Sequence, residues 1–251
     1  MLAVEGLSKS FGGVAAIQDV SLKFAPGSLT AIIGPNGAGK TTFFNLISGA
    51  IRPDKGRVTL SGEDIVGLAP AQIARRGIAR SFQVASIFPS LTVEAILTAT
   101  VQAHLRQAER ILRRFPLPEC RERAFAAMDM LGLSNKAAVV SANLSHGDQK
   151  LLDIGLALVL EPRVLLLDEP TAGMGPEERW QMIEKVRDLW RRQNITLVFI
   201  EHDMDIVFKI AESICVLCYG RVLAEGSPEV IRGNPEVIAA YLGTSEEDEA
   251  S

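Results

Sequence analysis

Apolar residues along the chain fall into two kinds of run. From Leu2 to about Leu29 they alternate with polar ones, as in Val20-Ser-Leu-Lys-Phe24, and the runs break at Gly12-Gly13 and Pro26-Gly27. Period-two alternation between tight-turn residues predicts antiparallel strands, a small β layer that opens the chain. Leu29-Thr-Ala-Ile-Ile33 is then a continuous apolar run, the mark of a buried strand, and it enters a glycine-rich turn followed by a helical stretch, Thr41–Ser48, that ends at Gly49. A further β segment is expected at Arg57–Leu60 and a short helix over Pro70–Arg76, stopped by Gly77. From about Ala85 to Gly147 the residues favour helix, including Val93–Arg114 and Glu119–Leu131, and read as a helical lobe inserted into the core. After it, helix Gln149–Leu160, strand Val164–Leu167, helix Pro176–Arg192, strand Thr196–Ile200, helix Met204–Ala211 and strand Ile214–Leu217 alternate. Regular alternation of this kind predicts a mainly parallel sheet covered by helices.

With 251 residues, 47% hydrophobic and 22% charged, the chain can bury one sizeable core or a core with a smaller lobe. A formal net charge of -4 gives no bulk attraction to nucleic acid or anionic lipid, so membrane contact is expected only through specific partners. The apolar segments Leu151–Leu160 and Val164–Leu167 fall far short of the ~20 residues that a spanning helix needs. Met1-Leu-Ala-Val-Glu-Gly-Leu lacks the basic region and long apolar stretch of a secretory signal, so the chain is expected in the cytoplasm. Three cysteines, an odd number, fit a reducing compartment. Cys215 and Cys218 form a C-x-x-C, but within a strand residues three apart point to opposite faces, and no second pair completes a zinc site; packed thiols are expected. The acidic end Glu246-Glu-Asp-Glu249 reads as a solvated tail.

Chemistry enters with Gly34-Pro-Asn-Gly-Ala-Gly-Lys-Thr-Thr42, which matches G-x-x-x-x-G-K-[ST] with a strand before it and a helix after it. Gly34, Gly37 and Gly39 let the loop, which also contains Pro35, Asn36 and Ala38, turn its backbone N–H groups around phosphate oxygens, and the helix start adds its positive dipole end. Lys40 supplies a cation for the β- and γ-phosphates, the Thr41 hydroxyl can ligate Mg²⁺, and Thr42 continues the site. ATP with Mg²⁺ is the expected ligand. Downstream, Val164-Leu-Leu-Leu-Asp-Glu169 is an apolar strand ending in two carboxylates. Asp168 at the tip would hold Mg²⁺ directly or through its water, and Glu169 would polarise the attacking water as general base. Each nucleotide motif occurs once, so a second copy must come from another chain.

Asn143-Leu-Ser-His-Gly-Asp-Gln149 resembles the signature loop of the ABC ATPase family, Leu-Ser-Gly-Gly-Gln; Leu144, Ser145 and Gly147 match, while His146 and Asp148 depart. The resemblance implies an α/β fold: a P-loop NTPase (RecA-like) core with an N-terminal antiparallel β layer and an inserted α-helical subdomain. It divides the chain into 1–84 (β layer and first part of the core), 85–147 (helical subdomain ending in the signature loop), 148–243 (second part of the core and a C-terminal helix) and 244–251 (acidic tail). It also implies roles residue by residue. Ser145 and Gly147 would bind the γ-phosphate of ATP held by an opposite subunit, Phe11 would stack on adenine, Gln83 would contact Mg²⁺ and water and sense the membrane partner, and His202 would hydrogen-bond the γ-phosphate. Asp148 brings a negative charge near phosphate, and Gly175 stands where the cross-interface loop Thr171-Ala-Gly-Met-Gly175 usually carries aspartate; weak dimerisation without partners is the expectation from both.

Within the family, Ile33–Asn45, Arg76–Gln83, Leu144–Gly147, Asp168–Met174 and Pro235–Gly243 look most like the branched-chain amino acid importers, whose close relatives import urea or short amides. The implied function is ATP hydrolysis coupled to uptake of a small polar solute. The implied partners are transmembrane permeases, a second ATPase subunit, identical or related, in a head-to-tail dimer, and a solute-binding protein reached through the permeases. The implied location is peripheral, on the inner face of the cell membrane. DNA-repair and chromosome-organising ATPases share these motifs but separate them by long coiled coils or zinc modules, whereas Lys40 and Ser145 are only 105 positions apart. The arginines Arg106, Arg110, Arg113, Arg114, Arg121 and Arg123 are interleaved with Glu109, Glu119 and Glu122, a solvated helical face rather than a nucleic-acid patch.

Overall fold

A computed structural model describes residues 1–81, 88–105 and 117–247. The alternating N-terminal segments form β1 (Leu2–Phe11) and β2 (Val14–Phe24), which pair antiparallel and are joined by β4 (Lys55–Leu60) and β5 (Glu63–Asp64) in a four-stranded sheet of order β2-β1-β4-β5. The continuous apolar runs form the second sheet: β3 (Leu29–Ile33), β7 (Val164–Asp168), β8 (Thr196–Ile200) and β9 (Ser213–Cys218). With β6 (Ile78–Arg80) and β10 (Arg221–Gly226) at its edges, its order is β10-β9-β3-β8-β7-β6, parallel throughout except for the β9–β10 hairpin. The three-residue β6 and the weakly patterned β10 were not evident from the hydrophobic pattern.

Strand alternation divides the core in two. Ile32, Leu166, Val198, Ile200, Cys215 and Leu217 face the four-stranded sheet and α1 (Lys40–Ile47), packing with Phe24, Phe43 and Phe44. Their neighbours Ala31, Ile33, Leu165, Leu167, Leu197, Phe199 and Val216 face the opposite layer. That layer contains α5 (His146–Leu158), α6 (Pro176–Gln193) and α7 (Met204–Ile210), together with α3 (Val93–His104) and α4 (Pro118–Leu131) of the helical lobe. Burial on both faces is why these strands are continuously apolar. It also separates the C-x-x-C: Cys215 is buried with a thiol that burial pushes up, Cys218 is half-buried, both are free, and among the described residues no cluster of metal-ligating side chains exists.

Helix ends follow local chemistry. α6 opens on Pro176 with Glu177 and Glu178 in its first turn, closes on Arg191 and Arg192, and stops at Asn194 in a left-handed conformation, complementing the helix dipole at both ends. α2 (Pro70–Arg76) ends at Gly77 with φ 103°, as its sequence predicts. α8 (Pro228–Arg232) precedes α9, which runs from Pro235 to Glu247, into the segment 244–251 that the sequence assigns to the acidic tail. Among the described residues no helix is long and apolar enough to cross a membrane. Arg121 and Arg123 of the lobe pair with Glu94 and Glu161, as a solvated face would; Arg106, Arg110, Arg113 and Arg114 lie outside the described residues.

Candidate functional site

Parallel pairing puts the carboxyl ends of β6, β3, β7 and β8 on one edge of the sheet, where ligands bind in open α/β folds. From β3 the chain enters the loop Gly34–Gly39 and begins α1 at Lys40, one residue earlier than expected. Two glycines of the loop are demanded by close approach. A Cβ at Gly34 would lie 2.1 Å from the Leu217 carbonyl oxygen, and one at Gly39, whose φ is 99°, would lie 2.5 Å from that of Ala16. The loop is thus wedged between β9 and β2, with Ala38 buried and Asn36 and Gly37 exposed at its tip. Lys40 Nζ folds back to donate to the carbonyls of Gly34 (2.7 Å) and Pro35 (3.0 Å), contacts that a phosphate oxygen in the loop would replace. Burial lowers its pKa, while the Glu169 and Asp168 carboxylates pull it the other way. Thr41 is exposed and Thr42 half-buried in the first turn beside it.

At the tip of β7, Asp168 is buried, and its Oδ2 accepts a 2.6 Å bond from Arg80 Nη2, whose Nη1 donates to Asn45 Oδ1 at 2.6 Å. Asp168 Oδ1 is buried with no hydrogen-bond partner among the described residues. An unused carboxylate oxygen beside a phosphate loop fits a divalent cation or its water. Glu169 follows with φ 47°, a strained conformation for a side-chain-bearing residue, and its amide donates to the Ile200 carbonyl of β8 at 3.1 Å. That turn brings Glu169 Oε1 within 3.0 Å of His202 Nε2, so the ends of two neighbouring strands present an acid–imidazole pair, with the imidazole exposed. The pair can take up, orient or pass a proton at a site beside the phosphate loop. Gln83 lies outside the described residues.

The signature loop is itself the first turn of α5, which begins at His146 rather than Gln149. Ser145 is the N-cap: its Oγ accepts from the Asp148 amide (3.2 Å) and donates to Asp148 Oδ2 (2.6 Å). Asp148 also pairs with Lys136. Burial alone would raise its carboxyl, but the bonds from Lys136 and Ser145 outweigh that and hold it below its ordinary range. The bare charge expected near phosphate is therefore compensated within the chain. His146 turns its ring onto the loop 171–175, Nε2 lying 3.1 Å from the Ala172 carbonyl and against Gly173. Gly147 has no atom within 4 Å of where a Cβ would stand, so nothing in its own chain requires glycine there. Gly175 serves as the N-cap of α6. Phe11 stands exposed at the end of β1, with Lys9 Nζ 5.5 Å from its ring centroid. Among the described residues no hydrogen bond joins the signature loop to the phosphate loop. Arg80, Asn45, Lys136 and Glu201 escaped the sequence reading, since no local pattern marks a residue whose partner is remote in the chain.

This fold and this constellation define an ATP-binding-cassette ATPase, and the chain belongs to the ABC transporter family, whose model matches residues 17–172. Residues 221–247 match a second model, described as the branched-chain amino acid ATP-binding cassette transporter. The chain is 41% identical over 249 residues to the high-affinity branched-chain amino acid transport ATP-binding protein LivG of Salmonella typhimurium, covering 97% of this chain and 98% of the relative. It is 38% identical over 250 residues to BraF of Pseudomonas aeruginosa, a protein of the same description, with 97% and 98% covered. Among solved structures, the ADP conformation of MJ1267, an ATP-binding cassette of an ABC transporter, is similar with a TM-score of 0.86 at 33% identity over 97% of this chain and 98% of that one.

Proposed function

We propose that this chain is the ATP-hydrolysing subunit of an importer for branched-chain amino acids. The match of residues 221–247, a segment outside the general cassette match, carries the choice of solute. In this reading the loop Gly34–Thr42 holds the phosphates of ATP, Lys40 exchanging its carbonyl partners for phosphate oxygens, and Phe11 stacks on the adenine. Thr41, Asp168 and Gln83 hold Mg²⁺, which when bound neutralises charge on the β- and γ-phosphates. Glu169 accepts the proton of the attacking water, and His202, already 3.0 Å from Glu169, orients the carboxylate and reaches the γ-phosphate. Ser145 and Gly147 act in trans on ATP held by a second cassette; the open space at Gly147 supports this, because only a ligand from outside the chain would need it. Two cassettes, identical or related, then close head to tail on ATP and reopen after hydrolysis, moving the permeases on which they sit at the inner membrane face. A solute-binding protein delivers the cargo.

The Glu169–His202 pair carries the mechanism, and Glu169→Gln tests it. The variant keeps shape and hydrogen bonding but loses the base, so phosphate release should fall by about 10²–10⁴-fold while ATP binding persists. Loss of binding together with turnover would assign Glu169 a structural role, and unchanged turnover would move the base elsewhere.

A further inference from the structure

Immediately before His202, at the end of β8, Glu201 is 4% exposed. Burying a carboxylate is costly unless every lone pair in use meets a donor. Among the described residues its hydrogen-bond donors are all uncharged, and they come from two separate loops. Oε1 accepts the Thr171 amide (3.0 Å) and the Thr171 hydroxyl (2.6 Å), and Oε2 accepts the His202 amide (3.2 Å). Thr171 is 3% exposed and lies two residues after Glu169, at the start of the loop 171–175. One residue further along that loop, the Ala172 carbonyl lies 3.1 Å from Nε2 of His146 in the signature loop. One carboxylate thus bridges the segment that carries Glu169 to the peptide that carries His202.

We infer that Glu201 is a positioning residue for hydrolysis: by holding the Thr171 peptide and the His202 peptide on its two oxygens, it fixes the register in which His202 meets Glu169. The inference rests on the catalytic reading of that pair. Charge-assisted bonds to a buried carboxylate are short and directional, so they transmit position better than packing alone. Both residues of the pair are themselves only partly buried, with side-chain exposures of 46% for His202 and 27% for Glu169, and they have little packing of their own to hold a 3.0 Å contact. Glu201 lies below them in the protein interior and does not share their exposure.

Thr171 gives the milder perturbation. Thr171→Val keeps the shape and the amide bond but deletes the hydroxyl bond, Thr171→Ser restores the hydroxyl, and Glu201→Gln places an N–H₂ group against one of the N–H or O–H donors. Single-turnover phosphate release by the full chain at saturating ATP and Mg²⁺ should fall between about 10-fold and 10²-fold for Thr171→Val and for Glu201→Gln, the range for small misplacements of reacting groups. Apparent KM for ATP, ADP affinity and melting temperature should stay close to wild type for Thr171→Val, and Thr171→Ser should recover turnover. Wild-type turnover in Thr171→Val, a loss matched by equal weakening of ADP binding, or no recovery with serine would overturn the inference. Glu169→Gln and His202→Ala run alongside: full turnover in both removes the catalytic reading itself, whereas loss in both with normal Thr171→Val and Glu201→Gln removes only the positioning role.

Discussion

Replacing Arg80 by methionine deletes the guanidinium that joins three remote segments and leaves the aliphatic bulk. The Arg80 and Asp168 side chains are 9% and 3% exposed, and their bond is 2.6 Å. Solvent therefore screens the pair little, and removing one partner strands a buried charge; such losses cost about 3–5 kcal/mol. The Asn45 amide oxygen loses its 2.6 Å donor as well. For a chain of this length 1 kcal/mol corresponds to roughly 2–4 °C, so the melting temperature should drop by about 6–20 °C. Arg80→Lys should recover little, because a single ammonium cannot reproduce the planar fork that reaches Asp168 and Asn45 together. Asp168 Oδ1 has no hydrogen-bond partner among the described residues, so a divalent cation bound there would supply compensating charge. Thermal melting of wild type and Arg80→Met, with and without ADP and Mg²⁺, reads both effects. The gap between the proteins should narrow when Mg²⁺ accompanies ADP and stay wide with ADP and EDTA. A drop below about 2 °C would show that Asp168 is not dependent on Arg80, and a gap indifferent to Mg²⁺ would remove the metal from Asp168.

Asp153 of α5 is 5% exposed, its Oδ2 has no hydrogen-bond partner among the described residues, and burial, opposed by Lys150 and His146, raises its pKa from 3.8 to about 6. Between those values the folded chain keeps a proton that the unfolded chain has released, so its contribution is full below about pH 4 and is lost as pH rises through 6, a change of about 3 kcal/mol. Urea denaturation should therefore find Asp153→Asn more stable than wild type at pH 8 and nearly equal at pH 4; parallel profiles would refute the assignment. Lys136→Met removes the cation paired with Asp148 beside Ser145, and should lower the ATP-dependent dimer fraction in sedimentation of a Glu169→Gln protein. Adding Asp148→Gln should restore it, and equal dimer fractions across the three would show that this charge does not reach the partner.

The elements that local chemistry dictates were legible from the chain. Gly34–Thr42 announces a phosphate loop because its glycines, lysine and threonine act through neighbouring backbone, and Val164–Glu169 announces a buried strand with acids at its tip because apolar continuity and a carboxylate pair are both local. Helix stops at Gly77 and starts at Pro176 are of the same kind. Ser145 and Asp148 stand three apart and could be seen as departures and matches, but not that they cap one another, since the sequence leaves open where the helix begins. Which carboxylate meets which partner was decided by the sheet order β10-β9-β3-β8-β7-β6. It brings Arg80 of β6 to Asp168 of β7 across 88 positions, and Thr171 after β7 to Glu201 after β8 across 30. Hydrogen bonds act over about 3 Å and carry no trace in sequence spacing. Only folding puts those ends side by side, and the edge strands stayed hidden because β6 has only three residues and β10 is nowhere fully buried, so neither carries a clear apolar pattern.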